Sequence, residues 1–249
     1  MRDYAKEFEN RVTFIRELVE TSGAKGIIYG NSGGKDCTLV GILCKAACEN
    51  TVGVIMPCSS KRNFGIDKDD GLEAAAAAGI ETRIVDLTAE RELMLETLGP
   101  VTELNQAAIS NIAPRLRMTT LYTIGASENR LVAGTGNRSE IYMGYFTKWG
   151  DGGSDFNPIS DLTVTEIYEF LEYLDAPVSI RTKAPSAGLF EGQTDEDEMG
   201  VSYAAIDRHI FGGEVSEQEL AVIERYHSRS EHKRVGVNHY YVWAEAHGL

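Results

Sequence analysis

Apolar residues at Phe8, Val12, Ile15, Leu18 and Val19 recur at helical spacing over residues 4–21, and the pattern stops at Gly23. A short apolar run, "AKGIIYG", follows and ends on glycine. Next come a helical stretch, "KDCTLVGILCKAACEN", and a second β-rich run, "TVGVIMP", closed by proline. The alternation continues with a helix from Asp67 to Gly79, a strand "IETRIVDL" and a helix from Ala89 to Leu98. The spacing then predicts one long helix over 104–127 and a fourth strand, "RLVAGTG". Strands that alternate with helices imply an α/β fold: a doubly wound, mainly parallel sheet covered on both faces, with ligands at the carboxyl ends of the strands.

After Asn137 the texture changes. "YFTKWGDGGSDFNPISDL" reads as a long loop rich in glycine and aspartate, and a helix from about Thr163 to Leu174 follows it. A second glycine- and acid-rich loop, "APSAGLFEGQTDEDEMG", precedes helices expected over 201–211 and 216–228. No internal repeat interrupts this order, so the 249 residues are read as one domain spanning 1–249.

Composition narrows the function. A formal net charge of -14 argues against a broad nucleic-acid footprint, which needs cations to neutralise phosphates. No apolar run is long enough to cross a bilayer and none resembles a signal peptide, so the expected location is the cytoplasm. Cys37, Cys44, Cys48 and Cys58 lack zinc-site spacing, and three of them share one predicted helix face. They are read as reduced residues, with neither disulfides nor structural zinc.

The chemistry concentrates in "YGNSGGKDC". A glycine loop between strand and helix offers backbone N–H groups and a helix N-terminus to an anion. The spacing excludes both G-x-x-x-x-G-K-[ST] and G-x-G-x-x-G. A carboxylate beside phosphates is repulsive unless a cation intervenes, so Asp36 suits a magnesium ligand; the other reading is a capped glycine turn with Asp36 favoured by the helix dipole.

"SGGKDC" after an apolar strand resembles the SGGxDS loop of the ATP pyrophosphatases, which grips the pyrophosphate of ATP during adenylate transfer. The later stretches "GTGNRSEIYMGYFTKWGDGGSDFNPISDLT", "KAPSAGLFEGQTDEDEMGVSYAAID" and "EHKR" resemble, in order and spacing, the ammonia-dependent NAD synthetase family. The resemblance spans nearly the whole chain and implies an adenine nucleotide alpha hydrolase-like fold. It also implies a ligase that amidates deamido-NAD to NAD with ATP and ammonia through an adenylate, releasing AMP and pyrophosphate.

By that resemblance ATP is contacted by Gly30, Asn31, Ser32, Gly33, Gly34, Lys35, Asp36 and Cys37, with Thr135 and Ser186. Asp36 and Glu140 hold Mg²⁺, and Lys35 shares in neutralising the developing charge. Arg115, Lys148, Asp155, His232 and Lys233 take deamido-NAD. The family implies a homodimer. No glutaminase-like extension is visible, so ammonia is expected free or from another protein.

Two positions depart from the pattern. Cys37 stands where the family has serine, and its place at a helix N-terminus suggests a lowered, oxidisable thiol pKa. Val164 stands where the family has a lysine that contacts ATP, and Lys35 or Arg62 is expected to supply part of that charge. Two alternatives stay open: an ATP pyrophosphatase acting on another carboxylate or on tRNA, and a nucleotide-binding regulator without catalysis.

Overall fold

A computed structural model describes residues 2–59, 65–182, 194–237 and 239–246. Four parallel strands form its sheet: β1 (Gly26–Gly30), β2 (Thr51–Ile55), β3 (Glu81–Ile84) and β4 (Arg130–Ala133), in the order β3-β2-β1-β4. Tyr29 pairs with Gly53 on one side and with Ala133 on the other. The first three strands step outward in one direction, and β4 then returns to the opposite flank of β1. That reversal leaves a crevice between the loops that follow β1 and β4, the position at which open α/β sheets bind ligands.

Burial on both sides of the sheet explains its continuous apolar strands. Ile27 and Tyr29 face a core shared with α1 (Tyr4–Ser22), α2 (Lys35–Ala47) and, later in the chain, α8 (Val164–Tyr173), where Phe170 and Leu171 are fully buried. Ile28, Val52, Val54 and Val132 face the other core, against α6 (Ile112–Glu128). Helices α3 (Ile66–Ala77), α4 (Thr88–Leu98) and α5 (Gln106–Ser110) complete the first half. Gly41 is required where α2 crosses the sheet, since a Cβ there would stand 2.5 Å from the Tyr29 hydroxyl.

A third cluster joins α7 (Arg138–Met143) to α10 (Asp195–Met199), α11 (Tyr203–Ile210) and α12 (Glu217–Arg229) through Met143, Met199, Tyr203, Ile206 and Ile223. Three short helices, α9 (Val178–Thr182), α13 (Glu231–Arg234) and α14 (Tyr240–Ala246), complete the described elements. Helix α1 is fastened across the chain: Arg11 bonds both Asp161 oxygens at 2.7 and 2.8 Å, Glu7 at 2.8 Å, and the Pro158 carbonyl.

One expectation changes. The single helix over 104–127 is broken at Asn111, because Pro114 has no N–H with which to continue a ladder from α5 but is tolerated in the first turn of α6. Cys48 falls at the C-cap of α2 and packs, with Cys37 and Cys44, against the same core. All four cysteines are free, and no described helix is long and apolar enough to cross a membrane.

Candidate active site

The turn after β1 folds around Asn31. Its Nδ2 donates to the Gly71 carbonyl at 2.8 Å, and its Oδ1 accepts from the Gly33 N–H at 3.2 Å. Gly33 has φ +70°, and a Cβ there would lie 2.3 Å from the Asp67 carbonyl, so this turn demands glycine. Gly34 caps α2. Its N–H points to Cys37 Sγ at 3.2 Å, a weak acceptor that surrenders the donor readily to an anion.

Cys37 itself is 2% exposed. Burial pushes its thiol pKa up, and the donors of Ser32 and Gly34 do not reverse this. The expected lowered pKa is therefore corrected: the helix N-terminus is present, but desolvation outweighs it.

Asp36 stands at the mouth of the turn. Lys35 Nζ meets its Oδ2 at 2.7 Å, and Asn137 Nδ2 donates to its Oδ1 at 3.0 Å. Asn137 is also the N-cap of α7, accepting the Glu140 N–H at 2.9 Å, while Glu140 Oε2 accepts the Asn137 N–H at 3.2 Å. The loops after β1 and β4 thus bring two carboxylates to one place. Burial and the nearby Asp36 charge push Glu140 up to about 8, even with Lys35 opposing. Such a pair, enclosed and short of positive charge, fits a divalent cation that favours one or two carboxylates plus phosphate oxygens and water. No group of three or more His, Cys, Asp or Glu among the described residues forms a metal centre by itself.

Ser139 and Asp207 hold α7 in place. Ser139 donates to buried Asp207, which also accepts the Thr165 N–H at 2.9 Å and its hydroxyl at 2.7 Å, tying α7, α8 and α11 together. Val164 is 4% exposed inside the third cluster with Met143 and Tyr203. Lys35 Nζ lies 5.7 Å from the ring centre of Tyr203, a member of the same cluster. Arg62 and Ser186 fall outside the described residues.

A cleft of about 920 Å³ opens over these groups. Gly30, Asn31, Ser32, Gly34, Lys35, Asp36 and Cys37 line it, as do Thr135, Glu140 and Lys233. Lys233 is anchored by the carbonyls of Gly144 at 2.7 Å and Phe146 at 2.6 Å. Arg115, Lys148, Asp155 and His232 do not line the cleft. Arg115 reaches the Lys148 carbonyl at 3.4 Å, and Lys148 Nζ bonds the His232 carbonyl, so these three form a neighbouring strip. Asp155 braces β4, accepting the Val132 N–H at 2.8 Å and the Tyr122 hydroxyl at 3.1 Å.

The cleft also contains residues that the sequence did not single out. Arg117 lies two positions from Arg115 on α6, so it faces another way, into the cleft, where it bonds the Met56 carbonyl at 3.1 Å. Asp151, raised in pKa by burial, accepts the Thr147 N–H at 3.0 Å. Asn137, by contrast, had a sequence signal: N-x-x-E before an apolar turn is a capping box.

Comparison with known proteins matches residues 7–236 to the family described as NAD synthase. The NH(3)-dependent NAD(+) synthetase of Carboxydothermus hydrogenoformans is 44% identical over 93% of this chain and 96% of its own. Among solved structures, an NMN synthetase from Francisella tularensis superposes with a TM-score of 0.90 at 36% identity, covering 96% of this chain and 100% of that one. The NH3-dependent NAD synthetase from Campylobacter jejuni gives a TM-score of 0.77 at 29% identity, covering 96% and 99%.

Proposed function

The chain belongs to the NAD synthase family, and from that premise we propose how its residues divide the work. It is a ligase that amidates deamido-NAD to NAD with ATP and ammonia. The observation that carries the site reading is the meeting of Asp36 and Glu140 through Asn137 at the carboxyl ends of β1 and β4.

The N–H groups of the Asn31–Gly34 turn and the start of α2 receive the triphosphate, with Lys35 at its flank. Thr135, at the end of β4, faces the same nucleotide, and Ser186 completes the set. Asp36 and Glu140 would hold magnesium, which supplies charge neutralisation for the departing pyrophosphate. The nicotinate carboxylate of deamido-NAD attacks the α-phosphorus, and the bond to pyrophosphate breaks. Ammonia then attacks the acyl carbon, AMP leaves with the carboxylate oxygen, and the nitrogen releases a proton to solvent. Adenylation converts a poor acyl donor into one with a good leaving group, so positioning and electrostatics carry the rate and no protein nucleophile is needed.

Deamido-NAD is assigned to Lys233 at the cleft wall and to the adjoining strip of Arg115, Lys148 and His232, with Asp155 at the end of β4. The whole chain acts as one synthetase-type unit in the cytoplasm, supplied with free ammonia or with ammonia from another protein. A second copy covers the face that bears Ile84, Leu93, Met94 and Val101, which are exposed apolar residues on or beside β3 and α4; α4 buries none of its own side chains. Light scattering after size exclusion tests the dimer, and Leu93→Glu is expected to yield monomer.

The decisive assay supplies deamido-NAD, ATP, Mg²⁺ and ammonium and follows NAD and AMP in equal amounts. A folded, ATP-binding protein that makes neither would overturn the reading. A second reading has one observation in its favour: the higher TM-score belongs to an NMN synthetase. It would amidate the mononucleotide of nicotinic acid by the same chemistry. Parallel kcat/KM measurements on the two acids decide between them.

A further inference from the structure

Lys35 occupies a position that does not suit a lysine. It is the first residue of α2, at the positive end of the helix dipole, and neighbours in sequence face different ways on a helix. Even so, the residue is 7% exposed, and its ammonium folds back to Asp36 Oδ2 at 2.7 Å. The ring of Tyr203 from α11 lies 5.7 Å away, and Tyr168 of α8 also faces the ammonium. A buried ammonium held this way is stable only while its carboxylate remains beside it.

Asp36 brings a negative charge to the edge of the site, and Lys35 covers it with a positive one. Asp36 divides its oxygens: Oδ1 takes the Asn137 amide, and Oδ2 is the oxygen that Lys35 covers. A divalent ion arriving at Asp36 must therefore share or displace the ammonium. The triphosphate site begins at the same turn, so the displaced ammonium has an anion within reach.

We propose that Lys35 is a stand-in cation: without nucleotide its ammonium occupies the Asp36 edge of the divalent-ion site and competes with the metal. The metal is then taken up together with ATP, onto which the ammonium moves. This rests on the reading of Asp36 and Glu140 as the metal pair, and the test separates the two.

Mn²⁺ is titrated into the nucleotide-free full-length protein, with free ion followed by electron paramagnetic resonance. Lys35→Met is expected to bind Mn²⁺ roughly tenfold or more tightly than the wild type, equivalent to about 1.4 kcal/mol. Lys35→Arg, which keeps the cation, should bind as weakly as the wild type, and Lys45→Met, on the same helix but outside the cleft, should change nothing. Lys35→Gln serves the same purpose if the methionine variant misfolds. With ATP present the order reverses, because the variants lose a phosphate contact. Equal Mn²⁺ affinity in Lys35→Met, Lys35→Gln and wild type would overturn the stand-in role. If tight binding in Lys35→Met survives an added Asp36→Asn, the metal-pair reading itself fails, and the proposal with it.

Discussion

Asn137 donates to Asp36 across 101 residues of sequence and, with its other amide atom, caps the helix that carries Glu140. One side chain therefore sets the distance between the two acids. Asn137→Ala should cost about 1 kcal/mol of stability as a lost N-cap, and kcat should fall by a larger factor than that change suggests. Asn137→Asp keeps a cap but places a third carboxylate beside Asp36. Thermal melts are expected to show most of the stability retained, while NAD formation drops as far as in the alanine variant.

The raised Glu140 carboxyl makes ligand-free stability depend on pH in an unusual direction for an acid. Between the ordinary value of 4.5 and about 8, the native state holds a proton that the unfolded chain has released. Stability from this group is thus complete below about 4.5 and is lost as pH rises towards about 8. Urea denaturation across that range should show the decline, and Glu140→Gln should flatten it. Mg²⁺ with ATP should flatten it too, because binding to the native state favours the ionised form.

Cys37 and Cys48 should separate under alkylation. Cys37 is buried with a raised pKa, whereas Cys48 is partly exposed at the end of α2. Peptide mass mapping after brief iodoacetamide treatment is expected to find Cys48 labelled first and Cys37 last. Cys37→Ser preserves an acceptor for the Gly34 N–H, so the KM for ATP should change by no more than about threefold, within the ~1 kcal/mol of an ordinary hydrogen bond.

Gly33→Ala combines a left-handed backbone angle with a Cβ 2.3 Å from the Asp67 carbonyl. The strain is worth about 1–3 kcal/mol, and relief requires the turn to open. The expected result is a lower denaturation midpoint and loss of ATP binding, read by calorimetry. Gly79→Ala is the control. It has a similar angle, φ +64°, with open space around it, so it should lose stability but keep ATP affinity.

The four strands, and the helices that cover them, follow from periodicity because each buries a continuous apolar face. The ATP loop follows from spacing, since glycine, lysine and aspartate are confined to one turn. Other features depend on contacts that no local pattern carries. Arg115 and Arg117 look equivalent in sequence, but the phase of α6 turns only Arg117 into the cleft. Cys37 looks like an activated thiol until the packing of α2 against the sheet removes water from it. Asp207 binds residues 42 and 68 positions away, far beyond any motif window.

The Arg11 fastening joins residues 150 positions apart, and it has a consequence for the timing of synthesis. Helix α1 leaves the ribosome well before β4, yet its guanidinium has no aspartate to hold until Asp161 has emerged. The ATP turn has its partners once Gly71 has emerged, while β4 and the Glu140 cap arrive later still. Ribosome-stalled chains ending before β4 should leave α1 open to protease, and those extending past Asp161 should protect it. A nascent chain thus carries its phosphate turn early and without the second carboxylate, and becomes competent to use ATP only once most of its length has been translated.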